Sequence, residues 1–163
     1  MPISGLETAV PVTIRQATIA DLADFARLLN QSDDTTVSPE QIAHRMEACA
    51  NVVTIYLGLL DGHVAGFASL RLLPELRSSE PAAELTDLYV DPQFRHRGVG
   101  CALIARVNAA ASAAGAREIR LITGFTNVVA QAAYEAAGYT RDALAMRKSF
   151  ALQIPIGPRL PGA

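Results

Sequence analysis

The stretch that most constrains this chain is a short basic turn with two glycines, placed between a predicted strand and a predicted helix. It reads Arg-His-Arg-Gly-Val-Gly over residues 95–100. An apolar run and the breaker pair Asp91-Pro92 precede it, and an alanine-rich helical pattern begins near Val99. The first N–H groups of a helix have no acceptor within the helix and lie at the positive end of its dipole. A strand, a tight turn and a helix start in this order are typical of an anion-binding site.

The residues of the turn favour a phosphate group as that anion. Gly98 and Gly100 have no Cβ atom, which allows a phosphate to approach the backbone closely. Arg95 and Arg97 add positive charge and fork-shaped donors. The turn has neither the third glycine of a dinucleotide-binding fingerprint nor the lysine of a Walker loop. We predict a pyrophosphate-binding turn of another kind, although an arginine-rich turn that only caps a helix is an alternative that the six residues leave open.

Composition indicates one globular domain. The chain has 163 residues, of which 50% are hydrophobic and 18% are charged, and its net charge of −2 favours neither nucleic acid nor an anionic membrane as a partner. Cys49 and Cys101 are predicted to be reduced thiols of a cytoplasmic protein, and the three histidines lack metal-ligand spacing, so no metal is predicted. No signal peptide and no membrane span are predicted.

Hydrophobic periodicity and turn residues predict a single domain over residues 11–154, with an extension at 1–10 and a poorly ordered tail at 155–163. Helices are expected to start near residues 19, 38, 99 and 127. Asp61-Gly62 predicts a two-residue hairpin. Strands are predicted at residues 11–18, 51–60, 64–72, 84–90 and 118–123, with one or two more within 139–152.

Two segments resemble the motifs of one enzyme superfamily. Residues 84–100 resemble the strand and the Arg-x-x-Gly-x-Gly acetyl-CoA signature of the GNAT superfamily of N-acetyltransferases. Residues 127–139 resemble a later motif of that superfamily. The residues that match it are Asn127, Ala130, Tyr134, Glu135, Gly138 and Tyr139. The resemblance implies an α/β fold whose central mixed β-sheet has helices on both faces, in the order β-α-α-β-β-β-α-β-α-β-β.

The resemblance also implies which residues bind acetyl-CoA. The backbone of the strand before the turn would bond to pantetheine, the amides that open the helix would bind the pyrophosphate, and the later motif would reach the pantetheine and the sulfur. These cofactor-binding residues are Leu88, Tyr89, Val90, Arg95, His96, Arg97, Gly98, Val99, Gly100, Cys101, Ala102, Asn127, Ala130 and Tyr134. From the residues alone, Leu88 and Val90 could equally be core, and Asn127 could be an ordinary helix cap.

Acyl transfer to an amine also needs an acid and a base. The resemblance implies that Tyr134 is the general acid, because a phenol with a pKa of about 10 is protonated at neutral pH. Glu84 and Asp87 are candidates for the base, and a salt bridge is the alternative role for each. Three residues apart on a strand, they are expected to face opposite sides, so that only one of them could serve.

The function implied is transfer of an acetyl group from acetyl-CoA to a primary amine of a small molecule or peptide by direct attack. The acceptor is expected beside the first two helices and the loops at residues 31–38 and 74–81, where Asp33, Asp34 and Glu80 suggest a cationic acceptor. Acetylation of a peptide N-terminus or a ribosomal protein stays open, as does a homodimer. The alternative from another class is a CoA-binding sensor or structural module without turnover.

Overall fold

A five-stranded mixed sheet forms the centre of the computed structural model, which describes residues 11–32 and 36–150. The strands are β1 (Thr13–Gln16), β2 (Val53–Leu60), β3 (His63–Leu73), β4 (Ala82–Val90) and β5 (Ile119–Leu121). They lie side by side in chain order. The pairings from β1 to β4 are antiparallel, and β4 pairs with β5 in parallel. The predicted α/β fold with a mixed sheet is confirmed.

The described residues form four helices, of which three lie between strands and the last follows β5. They are α1 (Leu22–Ser32), α2 (Pro39–Cys49), α3 (Val99–Ala113) and α4 (Val128–Ala136). Short 3-10 turns precede α1 at Ile19–Asp21 and follow β4 at Pro92–Phe94. A capping box opens α2 where a helix start is predicted near residue 38, since the Ser38 hydroxyl accepts from the Gln41 amide and the Gln41 side chain accepts from the Ser38 amide.

Helices cover both faces of the sheet, as predicted. Leu103 and Val107 of α3 are fully buried in one cluster with Leu70 and Leu85 of the sheet. On the opposite face, α1 and α2 form a second cluster with the sheet. Its members include Phe25, Leu28, Ile42, Leu57 and Phe67. The sheet is therefore enclosed between two apolar layers, and its central strands are held from both sides.

The hairpin between β2 and β3 turns where the sequence predicts it. Asp61 and Gly62 have φ angles of 53° and 78°. Positive φ at both central residues is the requirement of the two-residue turn that matches the twist of the flanking strands. The hairpin brings Asp61 to the same end of the sheet as the end of β4, because β3 and β4 are antiparallel and Gly66 is the register partner of Val90.

The prediction of closing strands within residues 139–152 is wrong for the part that the structure describes. Residues 139–150 form no strand, and every residue from 140 to 150 is exposed, including Leu144, Met146 and Phe150. The strand β5 has only three residues, so its outer edge offers few backbone partners for a further strand. The extension at 1–10, residues 151–152 and the tail at 155–163 lie outside the described residues.

Asp21 links the first strand to the first helix. Its carboxylate accepts from Arg15 Nη1 at 2.8 Å and Nη2 at 2.5 Å, and from the Thr18 amide at 2.8 Å. These hydrogen bonds, those of Arg15 first, hold the pKa of the Asp21 carboxyl well below its usual value although burial opposes them. A carboxyl with a lowered pKa stabilises the fold at pH values above the pKa of the unfolded chain.

We therefore expect Asp21→Asn to lower the free energy of unfolding at pH 7 by about 1–3 kcal/mol. The difference from the wild type should shrink as the pH falls below about 4, where the aspartate of the unfolded chain becomes protonated. Denaturant titration at pH 7 and pH 3 measures both effects. Asp24→Asn is the matched control, because Asp24 is half exposed and lies 3.8 Å from Arg27. Equal losses in the two variants, or a loss independent of pH, would contradict this account.

Candidate functional site

The turn between β4 and α3 is anchored by a buried carboxylate. Asp91 is 3% exposed, and its side chain accepts from the Gln93 amide at 3.0 Å and from Arg27 Nη1 of α1 at 2.7 Å. Beyond it, His96 and Gly98 have φ angles of 60° and 85°, in the left-handed region. Two left-handed residues within one turn fold the backbone tightly, as in the anion-binding concavities formed by successive N–H groups.

Three amides at the start of α3 are free. The helix begins at Val99 with Gly98 as its N-cap, and no side chain caps it. The first intrahelical bond runs from the Ala102 amide to the Gly98 carbonyl at 3.0 Å. Within residues 11–32 and 36–150, no acceptor receives the N–H groups of Val99, Gly100 or Cys101. The amides of residues 99–101 can therefore donate to a ligand, whereas Ala102, also predicted as a donor, already bonds to the protein.

The basic side chains of the turn lie around these amides and stay exposed. Arg95 Nε donates to the Val90 carbonyl at 3.0 Å, and its guanidinium lies 5.9 Å from the Tyr89 ring centroid. Arg97 Nη2 donates to Asp61 at 2.8 Å. His96 is exposed. Each arginine already has a protein partner, which a bound anion would have to share, and the predicted contact of the arginines with a pyrophosphate stays a prediction.

The strands β4 and β5 separate next to this turn. They pair only at residues 83–85 of β4, where Leu85 is the partner of Leu121. Directly after Leu85, β4 has a bulge, because Ser69 of β3 pairs with Asp87 while Leu70 pairs with Leu85. Thr86 is the extra residue. Bulges bend a strand and are frequent next to active sites, and here the bulge coincides with the end of the pairing.

Beyond the bulge, one side of the β4 backbone pairs with no strand in the part of the chain that the structure describes. The Asp91 amide donates to the Ala65 carbonyl at 2.9 Å, and hydrogen-bonded pairs alternate along antiparallel strands. Tyr89 therefore bonds towards β3, whereas Leu88 and Val90 direct their N–H and C=O groups to the side that β5 has left. The bond from Arg95 to the Val90 carbonyl agrees with this direction.

The bulge also corrects the prediction that Glu84 and Asp87 face opposite sides. Cross-strand partners share a face, and Glu84 and Asp87 pair with Arg71 and Ser69, which are two residues apart on β3. Both carboxylates therefore lie on the face of the sheet that α1 and α2 cover. The extra residue, Thr86, reverses the alternation that holds for a regular strand.

The two carboxylates differ in their partners. The Glu84 carboxylate accepts from both Nε and Nη2 of Arg71, the former at 2.8 Å. Asp87 is exposed and accepts from the Thr86 hydroxyl at 2.9 Å. The salt bridge that was the alternative role for Glu84 is thus present, and it holds the carboxylate against β3.

The later motif forms α4. The Asn127 side chain accepts from the Ala130 amide at 3.3 Å, so it caps the helix, as its alternative role required. Tyr134, seven residues on, is half buried, and its ring lies 5.8 Å from that of Tyr139. Burial raises the pKa of the Tyr134 hydroxyl. In the described part of the chain, no hydrogen bond occupies this hydroxyl.

Tyr134 packs against the cluster that α3 forms and Glu84 lies on the opposite face of the sheet, but both line one groove of about 1110 Å³. It runs along β5 between the sheet and residues 139–145, and Glu84, Tyr134, Asn108 and Tyr139 are among its lining residues. Asp87 does not line it. Sequence reasoning singled out Glu84 and Tyr134 but missed Asn108, for which the sequence gives no signal, because the residue lies inside an ordinary helical pattern.

This geometry agrees with the comparisons with known proteins. Residues 20–139 match the model of the acetyltransferase (GNAT) family. The chain belongs to the GNAT family of acetyltransferases. An aminoglycoside N(6')-acetyltransferase type 1 of Stenotrophomonas maltophilia is 36% identical over 131 residues, which are 78% of this chain and 85% of that protein. The predicted family is thereby confirmed.

Solved structures share the fold of this GNAT protein. AAC(6')-Iy, in complex with the bisubstrate analogue CoA-S-monomethyl-acetylneamine, has a TM-score of 0.74 and 24% identity, and the match covers 86% of this chain and 99% of that one. A ribosomal-protein-alanine N-acetyltransferase of Brucella melitensis biovar Abortus 2308 also has a TM-score of 0.74, with 20% identity over 85% and 99% of the two chains. These two proteins are named for different acceptors, so the shared fold alone does not identify the acceptor of this chain. Among the described residues, no helix is long and apolar enough to cross a membrane.

The free amides of α3 lead to a prediction about CoA, the acyl carrier of GNAT enzymes. Gly98→Asp places a carboxylate beside these amides, and its charge should weaken CoA binding at least about tenfold, as measured by calorimetry. Gly115→Asp is the matched control at the other end of α3, since both glycines have a φ of 85° and no atom within 4 Å of an added Cβ. An aspartate is favoured near the start of a helix and disfavoured near its end, so Gly98→Asp should fold at least as well. Equal affinity of the two variants for CoA would refute the prediction that the amides of residues 99–101 bind its pyrophosphate.

Proposed function

We propose that this protein transfers the acetyl group of acetyl-CoA to a primary amine of a small cationic molecule by direct attack of the amine. The observation that supports it most is the separation of β4 from β5 beside the free amides of α3. An extended chain with polar groups along its length, ending in a diphosphate, fits such a gap. Its polar groups would hydrogen-bond to the backbone of Leu88 and Val90, and its anionic end would accept hydrogen bonds from the amides of residues 99–101.

The residues present fit the cofactor on grounds of geometry. The start of α3 has open space at Gly98, and Gly100 has only the Val90 side chain within 4 Å of an added Cβ, at 3.6 Å. Acetyl-CoA supplies an acyl thioester, whose carbonyl carbon accepts the amine and whose sulfur departs as a thiolate. The Val90 amide lies on the free side of β4, where it can polarise a carbonyl oxygen in the manner of an oxyanion hole.

Tyr134 is the general acid of this proposal. A phenol with its ordinary pKa of about 10 is protonated at neutral pH, and burial raises the pKa of the Tyr134 hydroxyl further. It has no hydrogen-bond partner among the described residues and lies in the groove next to β5. A free, protonated phenol in that position can give its proton to a departing thiolate, whose pKa is about 8.5 in an ordinary thiol.

Glu84 is the base that the geometry favours. A lysine-like amine with a pKa of about 10.4 is neutral in only about one molecule in 2,500 at pH 7, so removal of its proton assists the attack. Glu84 lines the same groove as Tyr134, whereas Asp87 lies outside it. Arg71 holds the carboxylate in place through two donors, which leaves Oε1 of Glu84 without a protein donor in the described part of the chain.

The acceptor is proposed to be a small molecule with several amines, such as an aminoglycoside. The Stenotrophomonas maltophilia relative at 36% identity is named for that substrate class. Each of the three guanidinium groups that line the groove is paired with a lining carboxylate, so of the seven charged residues described there only one carboxylate, that of Asp142, is left for an ammonium group. These residues are Glu84, Glu118, Glu135, Asp142, Arg71, Arg120 and Arg141.

The acidic loops that suggested a cationic acceptor contribute less. The Glu80 carboxylate accepts from the Ser78 hydroxyl and, at 2.8 Å, from Arg117, so its charge is already compensated. Asp33 and Asp34 lie outside the described residues. The groove along β5 therefore replaces these loops as the proposed place of the acceptor.

Tyr134→Phe is expected to lower kcat about 100-fold, because it removes the proton donor and keeps the ring. The affinity for CoA should stay within twofold of the wild type. Release of free thiol from acetyl-CoA with a panel of aminoglycosides and polyamines measures the rate. Tyr56→Phe is the control, since Tyr56 is a buried residue of β2 whose ring lies under Arg106. Binding of CoA without thiol release by the wild type with any amine would favour a sensor or structural module instead.

Glu84→Gln is expected to lower kcat/KM about 10- to 100-fold at pH 7, because the amide retains the contact with Arg71 but cannot take a proton. Asp87→Asn removes a carboxylate from the same face three residues on, and its kcat/KM should stay within about threefold, since general acid–base effects require contact with the reacting group. Initial rates of both variants with the best acceptor test the assignment. A larger loss of kcat/KM in Asp87→Asn than in Glu84→Gln would assign the role of the base to Asp87 instead.

A further inference from the structure

The end of α4 has a geometry that ties Tyr134 to Tyr139. Gly138 has a φ of 91°, its amide donates to the Glu135 carbonyl at 3.0 Å, and the Tyr139 amide donates to the Tyr134 carbonyl at 3.0 Å. These two bonds form a Schellman motif, in which the second residue after the helix reaches back to the last turn. The motif fixes the backbone of Tyr139 relative to that of Tyr134.

The side chains of the same two residues pack together. The rings of Tyr134 and Tyr139 have centroids 5.8 Å apart and planes inclined by 60°, and both residues are half buried. An apolar contact between these two positions commonly accompanies the Schellman motif. The ring of Tyr139 is therefore one wall of the place that the Tyr134 phenol occupies.

The far end of Tyr139 is held by the helix that carries the cofactor-binding amides. The Tyr139 hydroxyl donates to Asn108 Oδ1 of α3 at 2.6 Å. Burial, and secondarily the neighbouring Tyr134, raises the pKa of Tyr139 to about 12, so this hydroxyl remains a donor throughout the neutral range. Of the two phenols, Tyr139 is thus the one whose polar atom is fixed, and the hydroxyl of Tyr134 is left free in the described part of the chain.

We propose that Asn108 and Tyr139 are positioning residues, which hold the phenol of Tyr134 in place for proton donation. Asn108 fixes the Tyr139 hydroxyl, and the Tyr139 ring confines that of Tyr134. This inference rests on the proposed role of Tyr134 as the general acid. It assigns no proton to Asn108 or Tyr139, since the Tyr139 hydroxyl donates to an amide oxygen that cannot accept a proton under these conditions.

The spacing along α3 explains why this helix is suited to the task. Asn108 lies nine residues after Val99, about 14 Å along a helix that rises 1.5 Å per residue. One rigid element therefore carries both the amides proposed to hold the diphosphate and the side chain that fixes Tyr139. A displacement of about 1 Å in a reacting group can cost about 100-fold in rate, so this fixed distance matters for a proton donor.

Three variants test the inference. Asn108→Leu, of similar size, removes the acceptor, Tyr139→Phe removes the donor, and Asn108→Asp retains an acceptor oxygen at the same position. We expect kcat to fall about 3- to 30-fold in the first two variants and to stay within about threefold in Asn108→Asp, because misplacement of the acid affects the chemical step. KM for the amine and the affinity for CoA should change less than twofold. Equal losses in Asn108→Leu and Asn108→Asp would overturn the inference.

A double-mutant cycle separates positioning from general destabilisation. In the Tyr134→Phe background, Asn108→Leu should lower kcat by less than about 1.5-fold, because no acid remains to be positioned. A further fall equal to that in the wild-type background would overturn the inference. If Tyr134→Phe lowers kcat while Asn108→Leu and Tyr139→Phe leave it unchanged, this inference fails and the proposed function stands. If Tyr134→Phe has no effect, the role of Tyr134 in the proposed function fails, and this inference fails with it.

Discussion

The site depends on the fact that, among the described residues, β4 has a partner strand on only one side after Leu85. Its backbone groups still need hydrogen bonds, because polar backbone atoms left unpaired away from water cost free energy. At Leu88 and Val90 these groups face the space that β5 has left. The bulge at Thr86 lies where the pairing with β5 ends, and the buried Asp91 anchors the turn that leads from β4 to α3. The gap in the sheet therefore begins at one local change in β4, and the free amides beside it come from the N-cap Gly98, which has no side chain to cap them.

The parts of the fold that follow from short-range chemistry could be predicted from the sequence. Asp61-Gly62 specifies its turn because only residues that tolerate positive φ fit there, and the box of Ser38 and Gln41 specifies the start of α2. The start of α3 is similar, since Gly98 supplies the left-handed N-cap that leaves the following amides free. Each of these features is decided within about six residues of sequence, which is why single-sequence reasoning reaches them.

Features that depend on a partner strand could not be predicted in this way. Threonine is an ordinary strand residue and does not indicate a bulge at position 86. The faces of Glu84 and Asp87 therefore could not be assigned before the register of β3 and β4 was known. The apolar alternation after Tyr139 is typical of a strand, yet a strand needs an edge to pair with, and β5 has only three residues. The contact of Tyr139 with Tyr134 is different, because the glycine at 138 and the rule for helix ends could have predicted it.

The helix α3 gives these separate features a common frame. Its first turn has the free amides, its apolar face is buried against the sheet through Leu103 and Val107, and its middle has Asn108 bonded to Tyr139. A helix packed on the sheet moves little as a unit, because interiors are close-packed and transmit displacement instead of absorbing it. The separation between the first turn of α3 and the phenol of Tyr134 is then set by helix geometry and core packing. The proposed reaction needs a thioester and a proton donor at one fixed distance, and a helix packed on the sheet holds such a distance more firmly than a surface loop would.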